Sequence, residues 1–191
     1  MQKLPIGLSD FKELRKRDYY FVDKTELISE IINENNKVVL IPRPRRFGKT
    51  LNLSMLRYFF DVNEDAKDLF KDLKIENLPE FEHQGKYPVI FLTFKDLKEP
   101  DFETFLKKIN RLIIELYEEH DATLKKAKLS YSEKKSIEQI LHGEADYTLL
   151  QTSLKDLSKY LSVIYKINPI ILLDEYDTPI HAGWLEGYYN E

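Results

Sequence analysis

The pattern of this chain predicts an α/β fold with a mainly parallel sheet, and three observations carry that prediction. Short runs rich in aliphatic and β-branched residues occur at 37–41, 87–94 and 168–177. Their apolar residues are nearly continuous, as in strands covered on both faces, and do not alternate. The segments between them place apolar residues at helical spacing, so strands alternate with helices.

The first helix is expected over 25–33, where Leu27, Ile28, Ile31 and Ile32 recur on one face, with Asp23 or Thr25 as its cap. After the loop-like "NENN", "KVVLI" reads as the first strand. A helix over 50–60 carries Leu51, Met55, Leu56, Phe59 and Phe60, and "YPVIFLTF" follows the turn-like "HQGK" as the second strand. The most regular helix is expected over 101–118, from Phe102 and Phe105 to Leu116 and Tyr117. The charge-rich 118–135 reads as a solvated helical surface. Helices follow over 132–141, with Ser132 as N-cap, and over 148–165, with "HGEADY" as the break between them. "NPIILLDEYD" supplies the third strand, and Asp177 and Thr178 suit a cap or turn before Pro179. Three strands make a thin sheet, and the third arrives only about 18 residues before the last one. The expectation is one domain over 1–191, with a helical flank at 1–36 and a core at 37–191. The sheet is expected to be incomplete at its C-terminus, and the chain to be the N-terminal part of a longer protein.

Composition narrows the function classes. Apolar residues make up 42% and charged residues 32% of 191, a balance that supports an ordinary globular core. The net charge of −4 argues against nucleic acid as the principal partner. With no cysteine, neither disulfides nor thiolate metal sites can form, which fits a cytoplasmic setting. No signal-peptide core and no apolar run of membrane-spanning length is present, so no membrane partner is expected.

Two motifs carry chemistry. Residues 42–50 read P-R-P-R-R-F-G-K-T between an expected strand and an expected helix. The phosphate-loop pattern G-x-x-x-x-G-K-[ST] needs that context. Its turn aims backbone N–H groups into one concavity, the following helix adds its N-terminal dipole, the lysine reaches the phosphates, and the hydroxyl serves Mg2+. Gly48, Lys49 and Thr50 fill the last three places, while Arg43 stands where the first glycine would be. Pro42 and Pro44 stiffen the entry, and Arg43, Arg45 and Arg46 add charge for a polyphosphate. A solvated basic loop or a nucleic-acid patch is the competing reading. The second motif is "IILLDE", an apolar strand running into Asp174 and Glu175. In phosphate-loop enzymes an Asp at a strand end completes the Mg2+ shell. Adjacent acids repel, and a bound cation relieves the repulsion. Both motifs lie at the C-terminal ends of expected strands, the edge at which open α/β sheets bind ligands.

With "IGLSDFKELRKRDYYFVDKTELI" near the start, "RPRRFGKTLNLSML" and "PIILLDEYDTPI", the chain resembles the AAA-ATPase-like family of bacterial and archaeal P-loop proteins, whose loop also reads R-P-R-R-F-G-K-T. The resemblance implies a three-layer P-loop NTPase fold that binds ATP and Mg2+. It implies that Arg45, Arg46, Phe47, Gly48, Lys49, Thr50 and Leu51 form the nucleotide loop, with Lys49 on phosphate. Thr50 and Asp174 would serve Mg2+, Glu175 would be the catalytic acid, and Tyr20 and Asp23 would lie beside the nucleotide. Members often carry a C-terminal nuclease-like domain of the PD-(D/E)xK type, which this sequence does not contain. The implied activity is ATP hydrolysis that drives or gates an attached or partner module. The alternatives are a nucleotide switch with negligible turnover and a nucleic-acid module acting through the arginines. Oligomer formation stays open.

Overall fold

The computed structural model describes residues 3–42, 44 and 47–190, and internal packing divides the chain into two units, Met1–Val89 and Ile90–Glu191. The first unit is built on aromatic packing around one helix. Its helices are α1 (Phe11–Lys16), α2 (Glu26–Glu34) and α3 (Lys49–Phe60), followed by three short 3-10 segments at Lys67–Phe70, Lys74–Asn77 and Pro79–His83. α2 stops at Asn35, whose left-handed φ of 49° suits an asparagine closing a helix. α3 buries Met55, Leu56, Tyr58, Phe59 and Phe60 together with the polar Asn52 and Ser54. Phe59 meets Phe60, Phe70 and Phe81 edge-on, and Phe11 of α1 stacks against Phe70. Beyond α3, Gly85 N–H donates to the Phe59 carbonyl at 2.8 Å, Tyr87 N–H to that of Phe60 at 2.9 Å, and Val62 N–H to that of Tyr87 at 2.8 Å.

The strand expected at 37–41 does not form. The segment is irregular, with Val38 84% exposed and Leu40 62% exposed. β-branched composition records a fit to a half-buried pleated surface, but a strand exists only where a neighbour completes its ladder. None does so here among the described residues.

The other two expected strands are present. β1 (Val89–Thr93) begins at the boundary between the units, and β2 (Ile170–Asp174) pairs with it in a two-stranded parallel sheet, extended by the Phe94 N–H donating to the Asp174 carbonyl at 3.0 Å. Between them run α4 (Phe102–Lys126), α5 (Tyr131–Leu141) and α6 (Tyr147–Tyr165), and α7 (Thr178–Glu186) follows β2. The core of this unit joins Ile90 and Leu92 of β1 to Ile113, Leu116 and Tyr117 of α4, Ile137 and Ile140 of α5, and Leu157 and Leu161 of α6. The buried Tyr117 hydroxyl donates to the Ser153 carbonyl at 2.8 Å.

Three local expectations change. α4 runs well beyond 118, and the charged stretch is not wholly solvated, because His120 and Leu124 turn inward and are 5% and 3% exposed. The cap of α5 is Ser130, not Ser132. Ser130 accepts from the Glu133 N–H while the Glu133 carboxylate accepts from the Ser130 N–H, a reciprocal capping box. Three residues after Ser132 stands Lys135, which has no acceptor to return the bond. α7 was not anticipated, because it packs through Thr178, Ala182 and Gly183, small residues that leave no apolar stripe to read. No helix among the described residues is long and apolar enough to cross a membrane.

Phe59 sits at the centre of the first unit with none of its surface exposed. Phe59→Ala should therefore cost about 3–5 kcal/mol, the range for emptying an aromatic site in a packed core. A urea unfolding curve measures it, and a loss below about 1 kcal/mol would contradict this packing.

Candidate functional site

The first candidate element is the start of α3. Gly48 precedes the helix in the left-handed region at φ 74°, and its carbonyl accepts from the Asn52 N–H at 2.9 Å. A Cβ added at Gly48 would meet nothing within 4 Å. Backbone conformation, and not crowding, is what demands glycine here. As the N-cap, glycine offers no side-chain oxygen to the first-turn N–H groups. No acid occupies that turn, and Lys49 is the first helical residue. A lysine at this end opposes the helix dipole. The terminus is thus poorly arranged for folding alone and well arranged for an anion, which would meet the N–H groups, the dipole and the ammonium together. Lys49, Thr50 and Leu51 are half-buried, while Phe47 is 61% exposed. Arg43, Arg45 and Arg46 lie outside the described residues.

The second candidate element ends β2. Burial alternates along the strand, so Leu172 and Asp174 point inward and Ile171 and Leu173 outward. Asp174 is 2% exposed. Burying a carboxylate costs free energy unless hydrogen bonds or charges around it compensate. Glu175 then turns the chain at φ 50°. For a residue with a Cβ the left-handed region costs roughly 1–2 kcal/mol, and such strain concentrates at functional sites. The turn is held by Thr178, whose N–H donates to the Glu175 carbonyl at 3.0 Å and whose hydroxyl donates to the Glu175 carboxylate at 3.3 Å. Thr178 is therefore the turn residue that its place before Pro179 suggested. Taken one at a time, the Thr50 hydroxyl and the Asp174 carboxylate are each a hard oxygen donor, the type Mg2+ takes alongside phosphate oxygens. Among the described residues, no cluster of three or more His, Asp or Glu could hold a metal without such help.

The third candidate segment has a visible structural task. The Asp23 carboxylate accepts from the Thr25 N–H at 2.9 Å, the Thr25 hydroxyl at 2.7 Å and the Lys74 N–H at 2.7 Å. The Thr25 hydroxyl in turn accepts from the Ile75 N–H at 3.1 Å. Thr25 holds the N-cap position of α2 without making a side-chain cap bond. Together Asp23 and Thr25 fasten the start of α2 to the second 3-10 segment. Partial burial would raise the Asp23 carboxyl, but the N–H donors of Thr25 and Lys74 outweigh it and hold the group below its ordinary value. Tyr20 is 52% exposed and keeps an open aromatic face. His181 and Trp184 are exposed. One group went unnoticed in the sequence: Asp10, Ser54 and Tyr58, which join α1 to α3.

These motifs belong to a known class. The profile of the AAA-ATPase-like family, described as "Predicted AAA-ATPase", matches residues 5–191, and the chain belongs to this family. The match runs across both units. A protein of Azotobacter chroococcum mcd 1, described as "Uncharacterized protein in vnfD 5'region", is 37% identical over 94 residues, which is 49% of this chain and 17% of that protein's length. The chain thus spans only a small part of that relative. No solved structure matches.

The lowered Asp23 pKa carries a pH signature. A carboxylate depressed in the folded state stabilises fully above its unfolded value, ordinarily 3.8, and loses that contribution as pH falls through the folded value. Asp23→Asn should be less stable than wild type at pH 7 by about 1 kcal/mol, since solvent screens the charged hydrogen bonds of a partly exposed group. The gap should close as the solution is acidified below that value. Urea midpoints of the two proteins across pH provide the measurement, and a gap that widens toward acid would contradict it.

Proposed function

We propose that this chain binds ATP with Mg2+ and hydrolyses it, using the released energy to drive or gate an attached or partner module. The observation that carries the reading is the start of α3: a left-handed Gly48, no side-chain cap, no first-turn acid, and Lys49 in the first helical position. Family membership supports nucleotide binding in general terms.

In this reading the Lys49 ammonium meets the β- and γ-phosphates while backbone N–H groups of 47–51 take their oxygens. The Thr50 hydroxyl and the Asp174 carboxylate are the protein donors to Mg2+. When bound, the ion neutralises charge on the phosphoryl oxygens. Glu175 orients the attacking water and accepts its proton, and the strained turn fixes the direction of its carboxylate. Arg45 and Arg46 add charge around the phosphates, and Tyr20 offers a stacking face for the base. Asp23 acts one step removed, by holding the segment that carries Tyr20. The three-layer fold of phosphate-loop enzymes, with its mainly parallel sheet, and an attached nuclease-like module belong to the same proposal. A second reading, a nucleotide switch with negligible turnover, is favoured by one contact: the Glu175 carboxylate already accepts from the Thr178 hydroxyl.

Melting temperature and turnover test the reading together. Millimolar ATP with Mg2+ should raise the melting temperature of wild type, and Lys49→Ala should abolish that rise. Glu175→Gln should keep the rise while lowering hydrolysis about 100-fold or more, the loss expected on removing a general base. Wild-type protein whose melting does not respond to ATP and Mg2+ would overturn the proposal. An ATP response with no turnover, even in wild type, would select the switch.

A further inference from the structure

Ser54 and Tyr58 follow Thr50 at intervals of four along α3. Residues four apart lie one above the other on a helix, drifting by about 40° per step. Thr50, Ser54 and Tyr58 therefore form one stripe, open at the nucleotide end and buried further along, where Ser54 and Tyr58 are 6% and 8% exposed. The buried part of the stripe is gripped by a single carboxylate. Asp10, the N-cap of α1, accepts from the Tyr58 hydroxyl at 2.9 Å and from the Ser54 hydroxyl at a longer 3.4 Å through Oδ2. Its other oxygen caps α1 by accepting from the Glu13 N–H at 2.7 Å. The Ser54 Oγ completes the link by accepting from the Phe11 N–H at 3.0 Å.

Directed bonds of this kind do what apolar packing does less well. Met55, Leu56 and Phe59 hold α3 in the core, but nondirectional contacts tolerate small rotations of a helix about its axis. Hydrogen bonds to buried hydroxyls do not, because any rotation leaves a buried polar group without a partner. Burial, with the bond to Asp10 second, pushes the Tyr58 phenol up to about 12, so it remains a donor at working pH. The Lys12 ammonium lies 5.2 Å from the centre of the Tyr58 ring and further fixes its place against α1.

We propose that Asp10 is a positioning residue for the nucleotide site: by gripping Ser54 and Tyr58 it sets the rotation of α3, and with it the aim of the Thr50 hydroxyl at the phosphate-bound divalent cation. The inference rests on the ATP and Mg2+ reading of the start of α3. It assigns to α1 a task in metal-dependent nucleotide affinity. Asp10 reaches nothing in the reaction itself and acts through α3.

Asp10→Asn separates the two tasks of the carboxylate, because asparagine keeps a cap oxygen for Glu13 and loses the acceptor for the hydroxyls. The affinity for ATP is measured by calorimetry with Mg2+ and again with EDTA. Wild type should bind more tightly with Mg2+. Asp10→Asn and Tyr58→Phe should each lose about tenfold of that Mg2+-dependent gain, the usual loss when a metal donor's support is removed. Their affinity in EDTA should stay close to wild type. Adding either change to Thr50→Ala should cost nothing more, since the hydroxyl being aimed is already gone. An Asp10→Asn protein that melts near wild type and keeps the whole gain would overturn the proposal, as would losses that add to that of Thr50→Ala. Should Asp10→Asn fail to fold, Tyr58→Phe decides by the same two criteria. Wild type that binds ATP equally with and without Mg2+ overturns this inference and leaves ATP binding standing. Wild type that binds no ATP shows that the underlying reading has failed, and the inference falls with it.

Discussion

The first unit depends on α3 being buried along its length and open at its beginning. A helix whose Met55, Leu56, Phe59 and Phe60 are almost wholly enclosed cannot leave its place without opening voids in the core, and the bonds from Ser54 and Tyr58 to Asp10 hold its rotation. Its first residues, Lys49 to Leu51, are only half-buried. Gly48 enters from the left-handed region, where an ordinary residue is strained, and supplies no cap. Lys49 then sets a positive charge against the positive end of the helix dipole. Each choice weakens the terminus as a folding element and strengthens it as an anion site. The buried remainder of α3 supplies the rigidity that such a terminus lacks.

The second unit solves a similar problem with different parts. β2 delivers Asp174 inward beside Leu172, and the chain must turn at once to leave the sheet. Glu175 makes that turn in a strained conformation, held by Thr178 at the start of α7. α7 is itself anchored at its far end. An added Cβ at Gly183 would come within 3.3 Å of the Tyr188 ring, so the helix and the following chain pack closely. The Tyr188 hydroxyl donates to the Glu99 carbonyl at 3.0 Å, and its ring meets Phe102 and Phe105 at the start of α4. The turn at the acidic pair is therefore fastened on both sides, by the β1–β2 pairing before it and by α7 and Tyr188 after it.

The legible elements were those whose signal repeats. α2 to α6 were found because each has an apolar stripe at helical spacing, and β1 and β2 because their aliphatic runs do have a ladder partner. Residues 37–41 carry the same composition and form no strand, since composition cannot report whether a neighbour is there. α1 is six residues long, with only Phe11 and Leu14 buried, too short for periodicity. α7 buries small residues and leaves none. The Gly48-Lys49-Thr50 and Asp174-Glu175 motifs stand out because their chemistry needs fixed neighbours in sequence. The tasks of Asp10 and Asp23 did not, because their partners Tyr58 and Lys74 are 48 and 51 positions away. A spacing rule cannot see a hydrogen bond across that distance, although Asp10 followed by Glu13 already reads as a helix start.

The proposed task of the start of α3 is to receive the phosphates of a nucleotide. The amide resonances of Gly48, Lys49 and Thr50, followed by proton–nitrogen correlation spectra during a titration with ATP and Mg2+, test it most directly. Saturable shifts are expected in these amides, with the amides of α5 and α6, at the core of the other unit, left nearly in place. Amides at the start of α3 that stay unmoved through a saturating titration would contradict it.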